Sequence, residues 1–183
     1  MSIDSAALLI EQIIITMMTT DAGESSELGS LFEKLQLVEP GEESRQVENR
    51  IWEVWCDHEE PEAVEAMEHV VAALNQGSLA DANERLNHMV NRWPTWAEAW
   101  NKRATLRFVE ERDLESMQDI ERTLQLEPRH FGAISGFGQI CMRAGDVASA
   151  VVAFEKAVRL NPNFEDIRKA IAHLERELPR TLH

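Results

Sequence analysis

Three prolines, Pro94, Pro128 and Pro162, stand 34 residues apart, and each closes a similar phrase: MVNRWP, TLQLEP and AVRLNP. A fixed period of this length marks stacked helical units, each of which buries its apolar face only when a neighbour covers it. Alignment on the prolines divides the centre of the chain, without a gap, into 63–96, 97–130 and 131–164. Only 8 Gly and 6 Pro among 183 residues, with Ala, Leu, Glu, Gln and Arg plentiful, favour helix throughout.

The units match where paired helices must touch. Ala66, Trp100 and Ile134 coincide near the start of the first helix, and the small or apolar Val70, Ala104 and Gly138 follow one turn later. In the second helix Ala82, Ser116 and Ala150 coincide, then Leu86, Ile120 and Phe154, then Met89, Thr123 and Ala157. Gly77-Ser78 and Gly145-Asp146 are turn dipeptides between the helices. The middle unit has Arg112-Asp113 nearby instead, which predicts a distorted turn.

These residues resemble the tetratricopeptide repeat, a 34-residue helix–turn–helix unit with the pattern W-x₂-L-G-x₂-Y, A-x₃-F and a closing Pro. The third unit fits best, through Phe137-Gly138, Ala150, Phe154, Ala157 and Pro162. Ala73, Arg107 and Cys141 depart from the pattern where it wants Tyr, as do His69 and Arg103 where it wants Leu. The resemblance implies an all-α fold: an α-solenoid of three such units, with an N-terminal helical hairpin and a C-terminal capping helix. The phrases AEAWNKRAT and LEPRHFGA are similar to those of small bacterial single-array members of the family, many of them exported. That implies a bacterial source.

The flanks read as helices that close the array. Residues 166–178 place Ile167, Ala170, Ile171, Leu174 and Leu178 on one face and stop at Pro179, as a solenoid cap should. Residues 28–38 and 43–58 form two amphipathic helices around Pro40-Gly41, with Leu31, Phe32, Leu35, Val47, Ile51, Val54 and Trp55 as the buried face. The expected organisation is an N-terminal helix and linker (1–22), an acidic hairpin (23–62), the three units, and a capping helix with tail (165–183). The run 6–18 is amphipathic, with Ile3, Ala7, Ile10, Ile14 and Met17 on a seam that Leu9 and Ile13 widen. Two heptads are too few for a free coiled coil. This helix therefore needs a surface, which a plug docked in its own groove or a swapped homodimer would supply. Residues 19–30 read as a flexible linker.

Charge narrows the partners. The chain carries 33 acidic and 18 basic residues, a net charge of −15, which argues against coating nucleic acid or an anionic membrane. Residues 1–62 hold 15 acids against Lys34, Arg45 and Arg50 alone, so a basic partner would meet the N-terminal third. The run 6–18 is too short to span a bilayer, and no basic residue precedes it as a secretory signal requires. The expected location is cytoplasmic, with the periplasm left open by the exported relatives.

In the resembling family the first helices line a concave groove that holds an extended peptide or helix of a partner protein. The corresponding positions are Val64, Met67, Val71, Leu74 and Asn75, then Glu98, Asn101, Thr105, Phe108 and Val109, then Gly132, Ser135, Gln139, Met142 and Arg143. Met67, Val71, Leu74, Phe108 and Met142 would form an apolar strip suited to an amphipathic helix. The carboxylate clamp of the family's co-chaperones needs Lys and Asn on the first groove helix and Lys and Arg on the third. Met67, Val71, Gly132 and Gly136 fall there, so capture of acidic chaperone tails is not implied. Lys102, Arg103 and Arg107 cluster on one helix, and a buried Arg requires a carboxylate such as Asp119, Glu121, Glu84 or Glu98. Between units two and three, Phe131 is expected to staple the repeats and His130 to be exposed.

No pattern suggests catalysis. His58, His69, His88, His130, His173 and His183 are scattered without HExxH, and Pro128 breaks the one E-x-x-H, Glu127 to His130. There is no G-x-S-x-G, Walker or G-x-G-x-x-G loop, and Cys56 and Cys141 suit a core better than a nucleophile's site. The expectation is a non-enzymatic interaction scaffold without metal or cofactor; the alternative is a structural subunit that self-associates through its N-terminal helix.

Overall fold

A computed structural model describes residues 3–19 and 27–177 of the chain. Residues 20–26, the middle of the expected linker, lie outside the described residues, as do Leu178 and Pro179 at the end of the expected cap. The three repeat units are helix pairs: α4 (Pro61–Asn75) with α5 (Leu79–Arg92), α6 (Ala97–Val109) with α7 (Asp113–Leu126), and α8 (Phe131–Ala144) with α9 (Val147–Leu160). Before them come α1 (Ile3–Thr19), α2 (Glu27–Leu37) and α3 (Glu42–Cys56), and after them α10 (Glu165–Glu177). Among the described residues every element is a helix.

Helix starts follow local chemistry. Pro61 opens α4, where its missing N–H costs nothing. His130 and Asp146 cap α8 and α9 by accepting the N–H of Ala133 and Ser149. Within each pair, small residues let the backbones close. A Cβ on Gly138 would lie 2.5 Å from Phe154 Cε1, so α8 and α9 meet at a distance only glycine allows. The turns share one backbone: Gly77 and Gly145 adopt φ of 71° and 78°, and Glu111 takes the same left-handed region at 59°. The middle turn is therefore not distorted; it keeps the geometry of the others with a residue ill suited to it.

The N-terminal helix docks within its own chain. Its buried stripe is Leu9, Ile13 and Met17, flanked by Ile10 and Ile14, whereas Ala7 faces solvent. The seam is thus rotated from the one expected. Its partners are α7 and α9, the second helices of units two and three, where Met117, Leu124 and Val151 share its core. α1 does not plug the face made by the first helices. At the far end, α10 covers α9 with Leu174 buried and Ile167 and Ile171 packed beside it.

The hairpin α2–α3 acts as a strap across the edge where the units join. Phe32, Leu35, Val47, Ile51 and Trp55 are its buried face, packed on Phe131 and Phe164. At the first junction, Trp96 Nε1 donates to the Trp55 carbonyl at 2.9 Å. At the second, Trp55 stacks on His130 with ring centroids 4.1 Å apart. At the third, Ser44 donates to Asn163 Oδ1 at 2.7 Å, and Asn163 Nδ2 donates to Glu48 at 2.9 Å. Phe131 thus joins the array to the strap, and His130 is fully buried rather than exposed because the strap lies over it.

Candidate functional site

The first-helix face of the array, built by α4, α6 and α8, is divided by the strap into closed and open parts. Where α3 crosses, Glu98 is fully buried. Its Oε1 accepts Lys102 Nζ at 2.8 Å, and its Oε2 accepts Asn101 Nδ2 at 2.9 Å and faces His130 Nε2 at 2.8 Å. His130 Nδ1 already accepts the Ala133 N–H, so Nε2 carries the proton and donates to Glu98. Burial by itself would raise the Glu98 carboxyl; His130 and Lys102 outweigh it and hold the group below its ordinary value of 4.5. Glu98 and Asn101 are thus paired within the array beneath the strap, whose Cys56 thiol lies 3.9 Å from Glu98 Oε1. Ser135 is also buried, and Trp52 covers Gly132, where a Cβ would meet its Cη2 at 2.6 Å.

Other expected groove residues turn inward. Met67 is buried in the core of the first unit with Val70 and Leu86, and Leu74 packs on the same core. Phe108 packs on the core of units two and three, with the Arg143 guanidinium 3.9 Å from its ring centroid. Asp113 and the Phe108 carbonyl hold Arg143 in place. Open to solvent are Val71, Asn75, Thr105, Val109, Gln139 and Met142, with Val71 39% and Met142 46% exposed. The apolar strip expected from Met67 to Met142 is interrupted, because helical spacing brings several of its members into the cores.

Two openings border the described part of this face. A recess of 140 Å³ between α6 and α8 is lined by Ala104, Thr105, Phe108, Gly136 and Gln139, with Asn101 at its edge. The larger, a cleft of 650 Å³, lies between α3 and α4. Val54 on the α3 side faces Val64, Met67, Val71 and Ala72 on the α4 side, which makes the floor apolar. Glu27, Glu53, Asp57 and Glu68 surround it. Arg50 is engaged by Glu27 at 2.6 Å and Glu53 at 3.0 Å. Among the described residues, Asp57 and Glu68 have no cationic partner. Cys56 borders the cleft, with its thiol pushed up to about 11 by burial and then by Glu98. Burial likewise pushes Cys141 up to about 12, so both sulfurs stay protonated and weakly nucleophilic near neutral pH.

The α3 wall of the cleft is absent from the repeat-based expectation, since the 34-residue phase says nothing about which face a flanking hairpin meets. The signal that remained in the sequence is Trp52 and Trp55, two large apolar residues in a strongly acidic stretch. The basic cluster is a structural pairing. Arg103 grips Asp119 at 2.9 and 2.8 Å, and Arg107 meets the same carboxylate at 2.7 Å. Among the described residues, no three His, Cys, Asp or Glu side chains converge as metal ligands, and no helix is long and apolar enough to cross a membrane.

Three stacked helix pairs with a helix closing the end define a helical-repeat solenoid. No protein-family model matches the chain. A Rhizobium etli protein described as TPR repeat-containing is 29% identical over 152 residues, covering 83% of this chain and 74% of the relative. Among solved structures, the first TPR of Spaghetti bound to the HSP90 peptide SRMEEVD superposes with a TM-score of 0.60 at 16% identity, covering 63% of this chain and 91% of that one. The chain is thus similar in sequence to a TPR repeat-containing protein and shares the fold of a TPR domain.

Proposed function

We propose that the chain is a non-enzymatic interaction scaffold that holds a peptide or helix of a partner protein against the first-helix face. The observation that carries this reading is the open part of that face, where Val71 lines the larger recess and Val109 and Met142 stay exposed on α6 and α8. The structural neighbour with a bound peptide supports a protein partner. Its acidic ligand does not transfer, because Met67, Val71, Gly132 and Gly136 occupy the clamp positions here. Self-association through α1 is the competing reading. It requires either exchange of α1 between chains or use of its outward Leu8, Ile15 and Met18, since the inward stripe is covered in cis.

The test is affinity capture with the wild type and with Val71→Glu, Val109→Glu and Met142→Glu combined, all at exposed positions that leave the cores intact. Partners lost on the triple variant support the reading, and partners retained equally refute it. Light scattering across a concentration series addresses the competitor, for which a concentration-independent monomer is fatal.

A further inference from the structure

We propose that the cleft between α3 and α4 receives an amphipathic helix of a partner protein whose apolar side chains are flanked by Lys or Arg; this rests on the scaffold reading above and gives its ligand a chemistry. The cavity, 650 Å³ with Val54, Val64, Met67 and Val71 on its walls, has room for several apolar side chains. Both walls are helices, whose backbone groups are already paired within α3 and α4. They offer no ladder to an extended strand, which favours an occupant that satisfies its own backbone, as a helix does.

The charge of the occupant follows from the rim. Four carboxylates surround the opening, and Arg50, its one cation, is shared by two of them. Asp57 and Glu68 stand uncompensated on opposite walls, since Asp57 ends α3 and Glu68 lies on α4. An acidic ligand would add like charge beside this rim, whereas Lys or Arg flanking an apolar stripe would meet one carboxylate on each side. The cleft therefore selects the opposite charge from the acidic peptide bound to the structural neighbour.

The experiment titrates the full chain into three fluorescein-labelled peptides of about 18 residues at 0.15 M salt, read by anisotropy. One is a Leu/Lys peptide with helical apolar spacing, the second replaces every Lys by Glu, and the third replaces every Leu by Ser. The Leu/Lys peptide is expected to bind at least tenfold tighter than the other two. Asp57→Asn with Glu68→Lys should weaken it about tenfold, and Val71→Glu should abolish it, while circular dichroism shows both variants folded. Equal binding of the Lys/Ser peptide would reduce the effect to net charge and overturn the inference. Tighter binding of the Leu/Glu peptide, or no binding by any of the three, overturns it too. If Met142→Glu removes binding and Val71→Glu does not, the face is a docking surface and the assignment to this cleft is wrong. Should natural partners be lost on the triple variant while no peptide binds, the scaffold stands and the ligand chemistry falls. Should partners also survive the triple variant, both fall.

Discussion

Glu111 stands at the place where the other two turns have glycine, with φ of 59° against 71° and 78°. A left-handed residue with a Cβ costs about 1–2 kcal/mol, part of which glycine returns through its freer unfolded chain. Glu111→Gly is therefore expected to stabilise the protein by about 0.5–1 kcal/mol, read as a rise in Tm of about 1–4 °C by calorimetry. Glu98 gives a prediction of opposite character. Its folded carboxyl titrates below the ordinary 4.5, so its contribution is complete above that value and is lost as pH falls through it toward the lower folded one. Glu98→Gln should lower stability at pH 7 and flatten the decline below pH 4.5, measured as urea midpoints across pH. At this scale the sequence was legible where spacing alone decides. Asp119 was among the carboxylates expected to meet Arg103 and Arg107, and both do meet it. His130 was misread because exposure depends on the strap, whose path no local pattern encodes.

Among the elements, α1 shows how an amphipathic pattern indicates that a surface exists without saying which. Its stripe of Leu9, Ile13 and Met17 fits Met117, Leu124 and Val151 on the second helices. The legible sign was Met117 and Leu124, seven residues apart on α7 beyond the Ser116, Ile120 and Thr123 that face its partner helix. Removal of residues 1–19 should expose Met117, Leu124 and Val151. The expected outcome is a several-fold increase in binding of a hydrophobic dye together with a lower Tm, because burying each such side chain contributes about 1.5–3 kcal/mol. Unchanged dye binding and Tm would show that α1 does not dock there in solution.

At the scale of the molecule, the strap joins residue 44 to residue 163 and residue 55 to residue 96. Simple repeat arrays are held by nearest-neighbour contacts and can unfold in parts. Here all three junctions share one hairpin, so the array and strap should melt together. Far-ultraviolet circular dichroism, which reports the helices, and tryptophan fluorescence, which reports Trp52, Trp55, Trp93, Trp96 and Trp100, are expected to give coincident urea transitions; separated midpoints would refute it. The repeat phase made the array readable. The crossing of hairpin over array was not readable, since it depends on contacts between residues 41 to 119 apart in the chain. That crossing also fixes a number. α3 has 15 residues, about 22 Å of helix, and three junctions stacked at about 10 Å intervals span about 20 Å. The strap is a ruler cut to three repeats: a fourth unit would lie beyond its end, and growth by duplication, open to an unstrapped solenoid, would here require a longer α3 at the same time.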